Sequence, residues 1–461
     1  MRYISTRGGT QPVAFKDAIM MGLATDGGLL LPESYPQISE DMLEQWRKLS
    51  YQQIAFEIIT RYVDDIPAAD LRKLIERSYA TFTHPEVTPV IKRDGIYILE
   101  LFHGVTLAFK DVALQFLGNL FEYILEERGE TLNIIGATSG DTGSAAIHGV
   151  RGKHGINIFI LHPHGKTSPV QARQMTTVPD DNVHNIAIRG TFDDCQDMVK
   201  AFFNDLAFKE KYSLGAVNSI NWARVLAQVV YYFYAWTRVT ATPGQKACFS
   251  VPTGNFGDIF AGYVAMRMGL PIDRLVLATN ENNILTRFIN NGDYSLAEVV
   301  PTVSPSMDIQ VASNFERYLF YLFGEDAARV RTAFAELKEQ GRITFTDAQM
   351  EQVRTLFSSA SINQQQTLDT IARFHQQTGY LLDPHTAVGV KAALDVLPSD
   401  AVRICLATAH PAKFGEAAEQ ATGQPAPVPA SISGLENMPT RCQVMDADID
   451  QVRAFFIKNV N

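Results

Sequence analysis

The chain has 461 residues, of which 46% are apolar and 20% are charged, a composition typical of a globular protein with two or three domains. The formal net charge is −10 and the basic residues are scattered, which does not favour a nucleic-acid-binding surface. The longest apolar run, residues 229–236, is much shorter than the roughly 20 residues that a membrane-spanning helix needs. We therefore expect neither a nucleic acid nor a membrane as a partner.

Cysteine and histidine usage indicates a reducing environment and no metal site. The four cysteines are far apart and form no CxxC pair, which predicts reduced thiols and a cytoplasmic location. Arg2 and Arg7 are followed by no apolar segment, so a secretory signal is not expected. His162 and His164 have no partner at metal-ligand spacing, and we interpret them as loop histidines.

The first 92 residues contain helix-like stretches without an alternation of strands and helices. The clearest are residues 42–63, MLEQWRKLSYQQIAFEIITRYV, and residues 71–82, LRKLIERSYATF. Their apolar residues recur at helical spacing. This pattern predicts a mainly helical N-terminal cap domain over residues 1–92.

Farther along the chain, short β-branched runs lead into polar loops and then into helix-like stretches. The predicted strands are residues 132–137, 156–161, 247–251, 274–279 and 402–408. This rhythm is typical of doubly wound α/β folds with parallel sheets covered by helices. We predict a first α/β lobe over residues 93–225 and a second over 226–461, with a helical insertion near 292–363. Ligands in such folds bind at the carboxyl ends of the strands.

Lys110 lies at the entrance of a strongly apolar helix, after a glycine-containing turn. Its neighbours Leu107, Ala108 and Phe109 are apolar, and desolvation by such neighbours lowers the pKa of a lysine and frees its amine for a Schiff base. Taken alone, the position is better explained by a lysine at a helix end with its ammonium in solvent.

The loop of residues 252–258, PTGNFGD, follows a predicted strand and opens a predicted helix. Its glycines allow the backbone to approach a ligand closely, and the unpaired amides at the helix start favour a phosphate. The spacing is neither that of a Walker loop nor GxGxxG. An ordinary glycine-rich turn with Asp258 as a first-turn charge is the alternative.

The loop of residues 138–143, TSGDTG, occupies the same kind of position after another predicted strand. It offers hydroxyls and amides but no cation, which suits the α-carboxylate of an amino acid. The alternative is helix capping by Ser139, Asp141 or Thr142. A Schiff-base lysine, a phosphate loop and a carboxylate loop are together the components of a pyridoxal-phosphate site.

Seven segments, in order along nearly the whole chain, resemble the threonine synthase family, in the branch shared by many bacteria and fungi. They are YISTRGG, FHGVTLAFKD, GATSGDTGSAA, NSINWARVLAQVVYY, VPTGNFGD, SPSMDIQVASNFERYLF and ATAHPAKF. The resemblance implies pyridoxal-phosphate fold type II, related to the β subunit of tryptophan synthase. It also implies conversion of O-phosphohomoserine and water to threonine and phosphate by γ-elimination and β-addition, the last step of threonine biosynthesis, in a monomer or homodimer.

Site residues follow from the resemblance, position by position. Lys110 would hold the cofactor as a Schiff base and move protons, and Thr408 would bond the pyridine nitrogen. The cup for the cofactor phosphate would comprise Gly254, Asn255, Phe256, Gly257 and Asp258. The substrate carboxylate would meet Thr138, Ser139, Gly140, Asp141 and Thr142. The substrate phosphate would meet Asn218, Ser219, Asn221 and Arg224, although Arg224 is also compatible with a surface position.

Three other functions remain open at this point. A phospholyase of the same fold would release 2-oxobutyrate from the same substrate. A metabolite-binding protein without activity would keep the loops, but the presence of Lys110 argues against it. A nicotinamide dehydrogenase fits the fold class, but the dinucleotide-binding fingerprint is missing.

Overall fold

The N-terminal region is built of short helices that pack onto the rest of the chain. The computed structural model describes residues 1–138 and 140–460. The first elements are β1 (Tyr3–Ser5), α1 (Phe15–Met21), β2 (Leu30–Pro32), α2 (Glu40–Trp46), α3 (Tyr51–Ile59) and α4 (Ala68–Tyr79). Helix α4 buries Leu71, Leu74, Ile75 and Ser78, which are spaced so that they lie on one face. The helix therefore packs against the rest of the chain through one mainly apolar face.

The middle of the chain alternates strands and helices. Its elements are β3 (Val90–Arg93), β4 (Ile96–Glu100), α5 (Lys110–Arg128), β5 (Leu132–Ala137), α6 (Asp141–Val150), β6 (Ile156–Pro163), α7 (Pro169–Thr176), β7 (Val183–Arg189), α8 (Phe192–Asn204), α9 (Leu206–Lys211), β8 (Leu214–Gly215) and α10 (Trp222–Val239). Most residues of α10 are buried, so this helix lies in the core and not on the surface.

The remaining elements complete the second half of the chain. They are β9 (Ala247–Pro252), α11 (Gly257–Arg267), β10 (Ile272–Thr279), α12 (Ile284–Asn291), β11 (Tyr294–Ser295), α13 (Phe315–Leu322), α14 (Ala327–Gln340), β12 (Arg342–Ile343), α15 (Asp347–Leu356), β13 (Phe357–Ser361), α16 (Gln364–Thr378), α17 (Pro384–Val396), β14 (Arg403–Ala407), α18 (Gly415–Thr422), β15 (Gln443–Asp446) and α19 (Ile449–Asn459). Three short 3-10 helices join them at Pro305–Met307, Pro411–Phe414 and Leu435–Asn437.

Two larger sheets carry the α/β part. A five-stranded sheet has the order β15-β7-β6-β5-β8 and is parallel throughout. A six-stranded sheet has the order β13-β10-β9-β14-β4-β3 and is parallel except for the β3–β4 pair. The predicted architecture of two parallel-sheet lobes after a mainly helical region is confirmed.

The sheets are not continuous pieces of chain. Strands β3 and β4 belong to the six-stranded sheet, although they precede all strands of the five-stranded one, and β15 returns from the C-terminal region to pair with β7. The division at residue 225 stays a prediction of domain limits, and it does not follow sheet membership. The region 292–363 contains α13, α14 and α15, but also the edge strand β13, whose polar sequence FSSAS did not resemble a strand.

Adjacent parallel strands bring the ligand-binding loops to one edge. Strands β9, β14 and β4 are neighbours, so the segments that begin at Thr253, Thr408 and Leu101 leave the six-stranded sheet side by side. Within the described residues, no helix has the length and apolar character required to cross a membrane.

Helices α5 and α6 approach each other through paired glycines. A Cβ atom on Gly118 would overlap the backbone carbonyl oxygen of Gly149, which cannot rotate away. We expect Gly118→Ala to lower the free energy of unfolding by about 1–3 kcal/mol, although alanine favours helix more than glycine does. Urea denaturation followed by circular dichroism measures the change.

Gly415→Ala is the matched control for Gly118→Ala. Gly415 starts α18 with an ordinary helical φ, and a Cβ there would meet no atom within 4 Å. This variant should match the original chain or exceed its stability. Equal stability of both alanine variants would contradict the close contact between α5 and α6.

Candidate active site

Lys110 is the first residue of α5, and its side chain is buried beside the end of β14. The backbone amide of Phe109 donates to the carbonyl of Thr408 over 2.8 Å, and that of His410 donates to Leu107 over 3.0 Å. Burial, opposed by the Asp141 carboxylate and assisted by the nearby cations of Lys413 and Arg224, lowers the pKa of Lys110 to about 8. With this pKa, roughly a tenth of these amines is uncharged at pH 7, far more than for an ordinary lysine.

Asp141, at the start of α6, is the anion nearest to Lys110. Its Oδ2 atom lies 3.7 Å from the Lys110 Nζ, and its Oδ1 atom lies 2.7 Å from the Nζ of Lys413. The side-chain amide of Gln171 also donates to Oδ1 over 2.7 Å. Burial alone would raise the pKa of Asp141, but the ammonium groups of Lys413 and Lys110 hold it well below its usual range.

The predicted carboxylate loop is organised around Thr138. Its hydroxyl accepts hydrogen bonds from the amides of Gly140 over 3.0 Å and of Gly143 over 2.9 Å. Gly140 has a φ of 155° and a Cβ there would overlap Gln171, so only glycine fits. In the described chain no acceptor meets the first-turn amides of Asp141 and Thr142. Ser139 lies outside the described residues.

The predicted phosphate cup runs from Gly254 into the first turn of α11. Phe256 adopts a left-handed conformation with φ 63°, which turns the chain into the helix. A Cβ on Gly254 would lie 2.7 Å from the carbonyl oxygen of Ser306. Within residues 1–138 and 140–460, no group accepts a hydrogen bond from the amides of Gly254, Asn255 or Phe256. Convergent free amides at a helix start suit a phosphate.

The Asp258 carboxylate faces away from this cup. Its Oδ1 atom accepts hydrogen bonds from the hydroxyls of Tyr231 and Tyr232 on α10. Burial raises the pKa of Asp258 to about 7, although both hydroxyls lower it. Asp258 can therefore contribute its backbone amide to the cup, but not its carboxylate.

Thr408 follows β14 and is buried next to the Lys110 turn. Its carbonyl is bonded to Phe109, while in the described chain nothing hydrogen-bonds its hydroxyl. A hydroxyl at this position can bond a ring nitrogen without holding it protonated, as a carboxylate would.

Arg224, in the first turn of α10, is a buried cation. Its Nε and Nη1 atoms have no hydrogen-bond partner, and no carboxylate in the described part of the chain forms an ion pair with it. Burial lowers its pKa to about 10. The Oδ1 atom of Asn218 is buried without a partner as well. A buried charge of this kind is stabilised by an anion.

The phosphate cup and the segment before α10 are joined by Ser313 and Asn314. The Ser313 hydroxyl lies 2.8 Å from that of Ser219 and donates to the Asn255 side chain over 3.2 Å. The Asn314 side chain donates to the carbonyls of Ser219 and Asn255, each over 3.2 Å. The structure therefore brings together the two predicted anion sites.

The side chain of Asn221 has structural hydrogen-bond partners. It caps α10 by accepting from the amide of Ala223, and it donates to the carbonyl of Ile19 over 2.8 Å. Its predicted contact with substrate stays a prediction, and its observed partners orient the helix that carries Arg224.

Sequence reasoning missed several residues that organise the site. Lys413 pairs with Asp141, and Asp111 accepts from the amide and hydroxyl of Thr106 in the turn before Lys110. The Ser306 hydroxyl donates to Asp141 over 3.4 Å, and its amide donates to the Nε2 of His385 over 3.2 Å. Lys413 stands in ATAHPAKF, so a lysine soon after a strand-end threonine was the available signal.

The donor set fits pyridoxal phosphate. Free amides of Gly254, Asn255 and Phe256 suit its phosphate, the Lys110 amine suits its aldehyde, and the Thr408 hydroxyl suits its ring nitrogen. Ser306 connects these parts, because it contacts both Asp141 beside Lys110 and the backbone at Gly254.

Comparisons with known proteins agree with this site. Three family models match: threonine synthase N terminus over residues 2–79, pyridoxal-phosphate dependent enzyme over 81–404, and threonine synthase, C-terminal over 386–456. A threonine synthase of Methylobacillus glycogenes is 48% identical, with 100% of each chain covered. One of Pseudomonas aeruginosa is 48% identical over 100% of this chain and 99% of its own.

A solved structure extends the similarity to the whole fold. The crystal structure of PLP-bound threonine synthase from Brucella melitensis is 46% identical and superposes with a TM-score of 0.98, with 100% of both chains covered. The similarity in sequence and in fold thus spans the full chain and includes the segments that form the cleft. The chain therefore belongs to the threonine synthase family of pyridoxal-phosphate-dependent enzymes.

Proposed function

We propose that the cleft at Lys110 converts O-phosphohomoserine and water to threonine and phosphate. The observation that carries this proposal is Arg224, a buried cation without an anionic partner in the described chain, whose charge lowers the pKa of Lys110. An amine for the cofactor and a cation with no anionic partner in the described chain, suited to a phosphorylated substrate, thus share one cleft.

The chain holds its cofactor through three groups. We assign the backbone amides of Gly254, Asn255, Phe256, Gly257 and Asp258 to the phosphate, the Lys110 amine to the aldehyde, and the Thr408 hydroxyl to the ring nitrogen. When bound, pyridoxal phosphate withdraws electrons from the carbon atoms of an amino-acid substrate.

The substrate is assigned to the two remaining sets of donors. The amides of Asp141 and Thr142, with Thr138 and Gly140 beside them, take its α-carboxylate at the positive end of α6, and Ser139 keeps its predicted role in this set. Arg224, Asn218 and Ser219 take its phosphate. Asn221 positions α10, since its side chain is committed to the helix cap.

Lys110 is proposed as the group that moves protons. The uncharged amine takes the proton from Cα of the substrate, loss of one proton from Cβ then expels phosphate from Cγ, and Lys110 returns a proton to Cγ. Arg224 stabilises the departing phosphate by its charge. Water then adds to Cβ, so that one O-phosphohomoserine and one water give one threonine and one phosphate.

The Asp141 carboxylate is assigned to Lys110 and not to the substrate carboxylate. Two carboxylates in contact would repel each other, whereas Asp141 Oδ2 already faces an ammonium at 3.7 Å. The loop therefore meets the substrate through its backbone amides, with the Asp141 side chain turned to the catalytic lysine.

Product analysis tests the proposed reaction. Protein loaded with pyridoxal phosphate is given O-phosphohomoserine, and threonine, phosphate and 2-oxobutyrate are measured together. We expect threonine and phosphate in equal amounts. Phosphate release matched by 2-oxobutyrate would instead favour the phospholyase alternative. The assembly, as a monomer or homodimer, and the cytoplasmic location stay predictions.

A further inference from the structure

Lys413 is a fully buried lysine that none of the steps above uses. It lies on the 3-10 helix Pro411–Phe414, and its side chain is 0% exposed. Its ammonium contacts Asp141 Oδ1 at 2.7 Å and donates to the carbonyl oxygen of Thr106 over 2.7 Å. Such a buried ammonium is retained only where its partners are well placed.

The contacts of Lys413 connect three separate segments of the site. Its own segment follows Thr408, Thr106 lies in the turn that precedes Lys110, and Asp141 opens the helix after the carboxylate loop. The second carboxylate oxygen of Asp141, Oδ2, lies 3.7 Å from the Nζ of Lys110. The two Asp141 oxygens are thus shared between two ammonium groups, one of which is catalytic.

We propose that Lys413 is a positioning residue, which fixes the Asp141 carboxylate beside the Lys110 amine and balances its negative charge. The proposal rests on the proposed function of Lys110 as the cofactor-binding amine. Without Lys413, Asp141 has Lys110 as its sole cationic contact in the described chain, and the lysine is drawn into a permanent ion pair. An amine held in such a pair is protonated and cannot attack an aldehyde.

The charged groups that act on Lys110 come from three elements. Asp141 on α6 favours its protonation, while Lys413 on the 3-10 helix and Arg224 on α10 oppose it. Asp111, on the helix of Lys110 itself, is bonded to Thr106 and feels the charge of Lys413. Removal of Lys413 should therefore raise the pKa of Lys110, and removal of the Asp141 charge should lower it.

Cofactor attachment in the absence of substrate tests this inference. Apoprotein is mixed with pyridoxal phosphate over a range of pH and reduced with borohydride, and the fraction of modified Lys110 is read by peptide mass mapping. Because attachment needs the uncharged amine, its midpoint follows the Lys110 pKa. We expect Lys413→Met to raise the midpoint by about one pH unit or more, Asp141→Asn to lower it, and the double variant to return close to the original.

Lys153→Met is the matched control. Lys153, between α6 and β6, is another lysine with a largely buried ion pair, 3.2 Å from Glu122, but it has no contact with Asp141 or Lys110 in the described chain. Its loss should leave the midpoint unchanged. If Lys413→Met does not fold, the double variant compared with Asp141→Asn still reveals the upward shift.

Opposite shifts of the attachment midpoint in Lys413→Met and Asp141→Asn support the inference, because general damage to the fold would move both midpoints in the same direction. Shifts of one sign, or no shift in either variant, overturn it. Failure to form threonine would leave this result intact, since no substrate is present. Absence of modified Lys110 in the original chain would overturn the cofactor site and this inference together.

Discussion

Lys110→Ala is expected to abolish threonine formation, with a fall in kcat of at least about 10³-fold. The variant loses both the amine that binds the cofactor covalently and the base assigned to the substrate α-carbon, and general base catalysis alone contributes roughly 10²–10⁴-fold. Threonine release in the presence of excess pyridoxal phosphate measures the loss.

The fold should survive this substitution. The Lys110 ammonium is partly desolvated and lies 3.7 Å from Asp141, which keeps its closer contacts with Lys413 and Gln171. Thermal unfolding of the apoprotein should therefore remain close to that of the original chain. Lys338→Ala, at an exposed position of α14, is the control for loss of a lysine and should retain full activity. Substantial threonine formation by Lys110→Ala would refute the catalytic assignment.

Local sequence patterns were enough to predict individual strands, because the pattern of a strand lies within a short stretch of chain. The predicted strand at residues 132–137 coincides with β5, and the strand predicted at 247–251 is β9 with one residue added. Both end in the loops that were expected to bind anions. Because β5 and β9 belong to different sheets, the meeting of their loops in one cleft depends on how the two sheets pack, which the strand patterns alone do not give.

The partners of buried charges could not be predicted in this way. Asp141 and Lys413 form an ion pair although more than half of the chain separates them in sequence, and the separation between the paired strands β7 and β15 is similar. No periodicity links such residues, since their contact depends on the tertiary arrangement. The same holds for Asp258: the family resemblance assigned it to the phosphate cup, but no local pattern indicated that its carboxylate bonds Tyr231 and Tyr232.

Arg224→Met is expected to raise the KM for O-phosphohomoserine by about 30-fold or more. A buried charge-assisted contact to phosphate is worth about 2–5 kcal/mol when one partner is removed, and 1.36 kcal/mol corresponds to a factor of ten. The value of kcat should fall as well, because the phosphate is the leaving group. Initial rates over a wide range of substrate concentration separate the two effects.

Stability measurements distinguish this role from a structural one. The Nε and Nη1 atoms of Arg224 have no partner in the described chain, so its replacement by methionine should leave the apoprotein as stable or make it more stable. Inorganic phosphate should stabilise the original chain, since a ligand of the folded state adds to its stability, and this gain should disappear in the variant.

Arg317→Met supplies the contrasting case. Arg317 is equally buried, but it donates to Leu30, Ile220 and Asn314, so its loss leaves their oxygens unpaired. We expect a lower thermal midpoint for this variant, with the response to phosphate retained. If Arg224→Met instead proved as unstable as Arg317→Met and kept its affinity for the substrate, the guanidinium would serve the core, and the substrate phosphate would have to be held elsewhere.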